Sequence, residues 1–508
     1  MASTLALAPE AHAASGAGAS AELHARIIRP DFEQWLRGAG NTGGCARPVR
    51  LVGTVHTFTA DGSPVDVLRT AQLPDQVLFK ACGDRREHVC PACSKVYRAD
   101  AFQILRAGLA GGHGIPETVT THPCVFLTLT APSFGLVHTR RTAADGRALP
   151  CRPRRKAERC EHGRSLSCGH THADGEKCLG APLCPDCYDY TGQVAWNGFA
   201  SVLWRRTTIC LNRELNRQAK PHGVRVRLSY GKVAEYQARG VIHFHILARL
   251  DAVNPDDPDA VLPPPPCLTS EHLGQVISEV ASRIGVRTPP HPANRAGWHI
   301  TWGRQLDVKP IRSSPAGEIT DTTVIGYMAK YATKSTEAVG GVARSLLCRS
   351  CKGTGLAGAC HTCGGTGTTT DFRRLPVPAH ARRLITAAWN LAQVPATDPN
   401  VADYWALRRS AHTLGYRGHV TTKSRRYSTT FRERRQARQS WQRAHLRTRD
   451  HTRDPETEIR ITNLEYAGIG WHTSVDAQLA ISAASRARAY SPLSGIDGQG
   501  QCDSREVK

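Results

Sequence analysis

The chain has 508 residues, with 66 Lys+Arg against 43 Asp+Glu, a formal net charge of +23, and 40% hydrophobic residues. No stretch approaches the roughly 18 consecutive apolar residues of a membrane span, glycine is too sparse for a collagen repeat, and periodic apolar segments are too many for a wholly disordered chain. The positive surplus favours a polyanionic partner, because neutralised phosphates release condensed counterions; codon usage rich in G and C explains arginine over lysine, but not the net sign.

Residues 1–26 read as a disordered Ala/Gly/Ser tail without the basic n-region or apolar core of a secretory signal, so a cytoplasmic protein is expected. A mixed N-terminal region, 27–114, carries Cys45, Cys82, Cys90 and Cys93. Val125 to Thr130 form a strand stopped by Ala131-Pro132. Residues 139–187 are a polar, Cys-rich insertion, followed by a long helix over about 193–219 that Pro221-His222-Gly223 breaks. Val224, Val226 and Leu228 alternate with Arg225 and Arg227 as in a half-buried strand, and after the turn Gln237–Gly240 a second strand runs VIHFHILARL over 241–250. An acidic, Pro-rich loop (254–267), a helical stripe from Leu273 to Ile284, a short strand around Gln305–Pro310 and a helix over about 321–335 come next. A second Cys-rich insertion at 341–370, a basic helical region at 371–460 and a tail over 461–508 complete the chain, with 115–138 and 188–340 as the core.

Two constellations carry chemistry. On the 241–250 strand, His243 and His245 share a face with Val241 and Leu247, while Ile242, Phe244 and Ile246 take the other. Two imidazoles so placed can grip one divalent ion, and a hairpin would bring Glu235 beside them as a third ligand; such a set suits Mn2+ or Mg2+ at a phosphate. On the predicted 321–335 helix, Tyr327 and Tyr331 lie one turn apart, with Lys330 and Lys334 as a second such pair. Tyrosine can act as a covalent nucleophile, and nearby lysines would hold a phosphodiester and stabilise developing negative charge.

FLTLTAP, RGVIHFH and YMAKYATK, in that order, resemble the three motifs of HUH endonucleases that start rolling-circle replication. GCARPVRLVG (44–53), CGDRREHVCPACSKVYRADAF (82–102), HPCVFLTLTAPSFGLVH (122–138), APLCPDCYDYTG (181–192) and LGYRGHVTTKSRRYS (414–428) bring the chain closer to the RepSA-like initiators of actinobacterial plasmids and integrative elements, over roughly 27–435. The resemblance implies an α+β fold: a central antiparallel sheet of HUH type with the histidine strand in the middle and the FLTLT strand beside it, zinc-stabilised insertions and a basic helical C-terminal region. It implies tyrosine attack on a metal-bound phosphodiester of single-stranded origin DNA in a supercoiled plasmid, leaving a 5′-phosphotyrosine and a 3′-OH primer. Tyr331 is expected to be indispensable and Tyr327 the second nucleophile. The same chemistry would suit a conjugative relaxase or two-tyrosine transposase, and a dead core would leave a zinc-stabilised DNA-binding regulator.

The cysteines read as zinc ligands rather than a disulfide scaffold. Cys348-x2-Cys351-x8-Cys360-x2-Cys363 supplies four thiolates for a closed tetrahedral site, in a form that resembles the zinc repeat of DnaJ-type chaperones. Cys82, Cys90 and Cys93 need a fourth ligand, Cys45 or His88; Cys160, Cys168, Cys184 and Cys187 are expected to form a third site, with His162, His170 or Cys178 as alternates. Residues 417–453 hold 12 Lys/Arg against 2 acidic residues, including Arg417, Lys423, Arg425, Arg426, Arg434 and Arg435, with Tyr427, Phe431 and Trp441 interleaved, as in a DNA-contact surface with stacking. A phosphate-binding G-x4-G-K-[ST] loop is absent, so no nucleotide cofactor is expected and a host helicase would unwind the DNA.

Overall fold

The computed structural model describes residues 16–59, 61–156, 158–311, 322–334, 336–355, 360–393, 401–447 and 459–489. The chain divides into two units, one from Ala101 to Phe431 and one from the segments up to and including Asp100 and from Arg432 onward.

In the first of these, alternation along the histidine strand, Ile242–Val253, decides the architecture. Ile242, Phe244, Ile246, Ala248 and Leu250 are buried in the main core with Phe199, Leu203 and Leu211 of the long helix Tyr190–Ala219. The opposite face is thereby left to His243, His245, Leu247, Arg249 and Asp251. The strand is central in a five-stranded antiparallel sheet ordered Leu306–Ile311, Cys124–Leu129, Ile242–Val253, Arg225–Tyr236, Thr421–Lys423. The fold is mixed α/β with antiparallel sheets, and the FLTLT strand borders the histidine strand.

Local chemistry sets the register. The Gln237–Gly240 turn closes with the Gly240 N–H donating to Gln237 O (2.8 Å) and the Gln237 N–H to Val241 O (2.9 Å). Gly240 sits at φ +75°, where only glycine is relaxed. The hairpin pairs Glu235 with His243 and Val233 with His245. Asp189 caps the long helix by accepting from the Gly192 N–H (2.7 Å), and Gly223 at φ +66° follows its end. Buried Asn197 fastens that helix to the hairpin: its amide donates to Gly240 O (3.0 Å) and Leu414 O (2.8 Å), and its oxygen accepts from the Ile242 N–H (3.1 Å).

The other unit corrects the reading of both chain ends as tails. Ile459–Ile469 is a strand paired with Val49–Phe58, which also pairs Pro64–Arg69 and Leu78–Lys80, all antiparallel. Ile459, Ile461, Thr462 and Tyr466 are β-branched or aromatic and suit extended backbone, but the apolar positions change face between Ile461 and Leu464, so no steady period-2 pattern marks the strand. Gly16–Ile27 and Ser474–Ala489 are helices, joined where Arg26 grips Asp476 through two bonds (2.8 and 2.9 Å) and also pairs with Asp75 (3.0 Å). Residues 1–15 and 490–508 lie outside the described residues. Among the described residues, no helix is long and apolar enough to cross a membrane.

Candidate catalytic site and metal clusters

Three strands and one helix supply the site. Glu235 Oε2 lies 2.9 Å from His243 Nε2 and 3.0 Å from His245 Nε2. Thr128 of the bordering strand, paired opposite His245, places Oγ1 3.2 Å from His245 Nδ1. Phe126 stacks on the same ring at 5.8 Å. The helix Thr322–Tyr331 sets the Tyr327 and Tyr331 rings 5.2 and 5.5 Å from that of His245, and 4.2 Å from each other. Lys334, just past the helix, donates to Glu235 Oε1 (2.8 Å), its Nζ 3.8 Å from the Tyr331 ring centroid. Lys330 is exposed on the same helix.

Electrostatics favour an ionised carboxylate and neutral histidine. Burial raises the Glu235 carboxyl, but hydrogen bonds from His243, His245 and Lys334 outweigh it and hold the group at about 2. Burial, against the pull of Glu235, brings His245 below its ordinary value. Burial raises both tyrosines; their mutual hydrogen bond raises Tyr327 further and lowers Tyr331, so Tyr331 is the easier of the two to ionise.

The donors fit a divalent ion. One carboxylate oxygen meeting two imidazole nitrogens is a two-histidine, one-carboxylate set with open positions. Thr128 can accept from His245 Nδ1–H and so fix the tautomer whose Nε2 lone pair faces the set. Thr128 is a site residue that the sequence reading missed, although its strand was recognised; its position directly opposite His245 was the available signal.

The cysteines form four clusters, in each of which all ligand atoms lie within 4.8 Å of one another: Cys45/Cys82/Cys90/Cys93, His138/Cys151/Cys168/His172, Cys160/His162/Cys184/Cys187 and Cys348/Cys351/Cys360/Cys363. Each set could hold a metal ion such as zinc. Cys45, not His88, completes the first. The expected Cys160, Cys168, Cys184, Cys187 set is corrected: Cys168 belongs elsewhere, because its backbone pairs with Arg152 (2.8 and 2.9 Å), and His162 takes its place, Nδ1 3.2 Å from Cys187 Sγ. In the last cluster the glycines of the repeated C-x-G-T-G pattern have a purpose: the Gly355 and Gly367 N–H groups donate to Cys351 and Cys363 Sγ (3.4 and 3.3 Å). The Gly355 bond and its neighbours bring the Cys351 thiol down to about 6, towards the thiolate that binds zinc.

The basic residues divide. The Arg417 guanidinium donates to Asp403 O (3.0 Å) and sits 5.7 Å from the Phe199 ring centroid; Lys423 donates to Arg425 O (3.0 Å); Arg426 pairs with Asp259 (2.7 Å). Arg434 approaches Asp100 at 3.7 Å, where Arg438 also binds. Arg425 and Arg435 are exposed. Tyr427 is corrected as a stacking candidate: it is wholly buried and its hydroxyl donates to Leu105 O (3.1 Å), whereas Trp441 is 49% exposed.

A protein from Streptomyces ambofaciens described as "Replication initiator protein" is 37% identical over 470 residues, covering 90% of each chain, which makes replication initiation the class. The family model of RepSA (replication initiator protein, pSAM2) matches residues 31–485, and the chain belongs to that family. The match extends past residue 435, where the motif resemblance stopped, and takes in the strand and helix that the tail reading had set aside. No solved structure matches the chain.

Proposed function

We propose that the protein is an HUH-type nickase and strand transferase that opens one strand of its element's origin to start rolling-circle replication. The observation that carries this reading is the meeting of Glu235 Oε2 with His243 and His245 Nε2, at 2.9 and 3.0 Å, under two tyrosine rings. A Mn2+ or Mg2+ ion held by Glu235, His243 and His245 would supply Lewis-acid polarisation of a phosphoryl oxygen.

The chain's own groups account for the rest. The Tyr331 oxygen, to which Tyr327 donates, attacks phosphorus; the new bond is tyrosine O–P and the broken one is P–O3′. The tyrosine proton is lost to solvent and the departing O3′ gains one, leaving a 5′-phosphotyrosine and a free 3′-OH. Lys334, beside Tyr331, lies where negative charge develops, and exposed Lys330 is placed to hold the DNA backbone. Tyr327 is the nucleophile for the second cleavage. Exposed Arg425 of the one unit and exposed Arg435 of the other each contact the backbone of single-stranded origin DNA, and Arg417, Lys423, Arg426 and Arg434 are further contact residues. The Cys45, Cys160 and Cys348 clusters are closed structural zinc sites. A host helicase separates the strands and the protein stays in the cytoplasm.

Incubating the chain with a supercoiled plasmid bearing its own origin tests this reading. Mn2+-dependent conversion to open circle, lost in His243→Ala, is expected. Nicking that persists in His243→Ala, or intact DNA despite tight binding, would overturn it.

A further inference from the structure

We propose that His138, Cys151, Cys168 and His172 form a separate structural zinc site that pins the 139–187 insertion to the segment leaving the Cys124–Leu129 strand. No C-x2-C pair announces it, because its ligands are spread over His138, Cys151 and the Cys168–His172 stretch.

The four ligand atoms lie within 4.8 Å of one another, and two of the spacings are close to those around a tetrahedral zinc ion. With Zn–N near 2.0–2.1 Å and Zn–S near 2.3 Å, ligand atoms sit roughly 3.3–3.8 Å apart. His138 Nδ1 lies 3.2 Å from His172 Nε2, and Cys168 Sγ lies 3.6 Å from the same nitrogen. The cysteine-only clusters have Sγ–Sγ separations of 3.7 and 3.8 Å, on the same scale and far from a disulfide bond of about 2.05 Å.

Orientation is fixed from outside the set. Glu176 Oε2 lies 3.0 Å from His172 Nδ1 and is anchored by the Ala173 N–H (3.0 Å). A carboxylate there holds the hydrogen on Nδ1 and leaves the Nε2 lone pair facing His138 and Cys168. Cys178 approaches His172 on the Nδ1 side (3.4 Å), which excludes it as a ligand.

Backbone hydrogen bonds hold these segments in place. Cys151 donates its N–H to His170 O (2.9 Å), next to the reciprocal Arg152–Cys168 pair. His138 donates to Ala181 O (2.8 Å) and accepts from the Gly180 N–H (2.9 Å). The Thr139 N–H points at Cys151 Sγ (3.1 Å), a donor suited to a metal-bound thiolate. Cys151 and His172 are buried and the other two half-buried, so the set is closed and structural rather than open to substrate.

The test is zinc content per full-length chain, by mass spectrometry after dialysis. His138→Ala and Cys151→Ser should each remove one zinc, Cys160→Ser one, and Cys151→Ser with Cys160→Ser two. Unchanged zinc in the first two variants would overturn the proposal, as would loss of a single zinc in the double variant, which means one shared site. Should a variant misfold, zinc-edge absorption on the wild-type chain decides, with excess Mn2+ added to occupy the His243 centre. Four sites give thirteen thiolates and three imidazoles over four ions. Eleven thiolates and one imidazole over three ions would refute the site.

Discussion

Thr128→Val removes one oxygen and keeps the shape and β-branching of the strand residue. With an ion bound, His245 must present its Nε2 lone pair, so its hydrogen sits on Nδ1, and Thr128 Oγ1 at 3.2 Å is the acceptor. His245 is 3% exposed, so water does not replace that acceptor. An unmatched buried donor costs about 1–3 kcal/mol. Loss of such an outer partner lowers metal affinity about 10–100-fold, or about 1.4–2.7 kcal/mol, and the two estimates agree. Mn2+ titration followed by electron paramagnetic resonance on the full chain reads the effect directly. Thr128→Val should weaken Mn2+ by that factor with zinc content unchanged, while Thr128→Ser stays within about threefold of wild type, having kept the hydroxyl. Valine binding Mn2+ within twofold of wild type would refute the role of Thr128.

Three further outcomes follow from buried or exposed charge. Lys232 is 4% exposed, its Nζ 4.0 Å from the Phe244 ring centroid, and burial pushes its pKa down to about 7 from 10.5. The unfolded chain therefore binds the extra proton between about pH 7 and 10.5, so this contribution to stability rises with pH through that window and is lost below it, a difference of about 5 kcal/mol. Lys232→Met should raise the urea midpoint at pH 7 and flatten its rise towards pH 9.5; an unaltered pH slope would contradict this. Asp251 accepts from Arg249 (2.6 and 3.0 Å), Ser229 (2.6 Å) and His122 (2.8 Å), all buried, so Asp251→Asn should destabilise the 101–431 unit by about 3–5 kcal/mol in urea unfolding; a loss below about 1 kcal/mol would show that Arg249 finds another counter-charge. Replacing exposed Arg425 and Arg435 by Ala should cut the salt slope of single-stranded DNA binding by about 1.4, at about 0.7 per phosphate, and an unchanged slope would remove them from the interface.

Much of the site was legible because its signals are short-range. Glu235 and the two histidines flank one four-residue turn, so hairpin register alone brings them together, and a single helical turn relates Tyr327 to Tyr331. The Cys348 cluster was equally readable, since its ligands come in two C-x2-C pairs. What escaped depends on long-range pairing. Thr128 reaches His245 only because two strands 117 residues apart are neighbours. The Cys168 assignment failed because proximity in sequence favoured Cys160, whereas its backbone pairs with Arg152. Ile459–Ile469 looked like part of a tail because its partner, Val49–Phe58, lies some 400 residues earlier, and nothing local marks that pairing. Tyr427 lies in a basic run yet packs inward, which a charge count does not reveal.

The central claim is covalent chemistry at a tyrosine of the 322–331 helix. The most direct measurement is protease digestion of the chain after incubation with Mn2+ and a single-stranded oligonucleotide spanning its own origin nick region, followed by mass spectrometry of any peptide–nucleotide adduct. The account predicts a phosphodiester-linked nucleotide on the peptide holding Tyr327 and Tyr331, located on Tyr331, abolished by Tyr331→Phe and by His243→Ala. A linkage on a residue outside that helix, or cleavage with no covalent intermediate in the active wild-type chain, would contradict it.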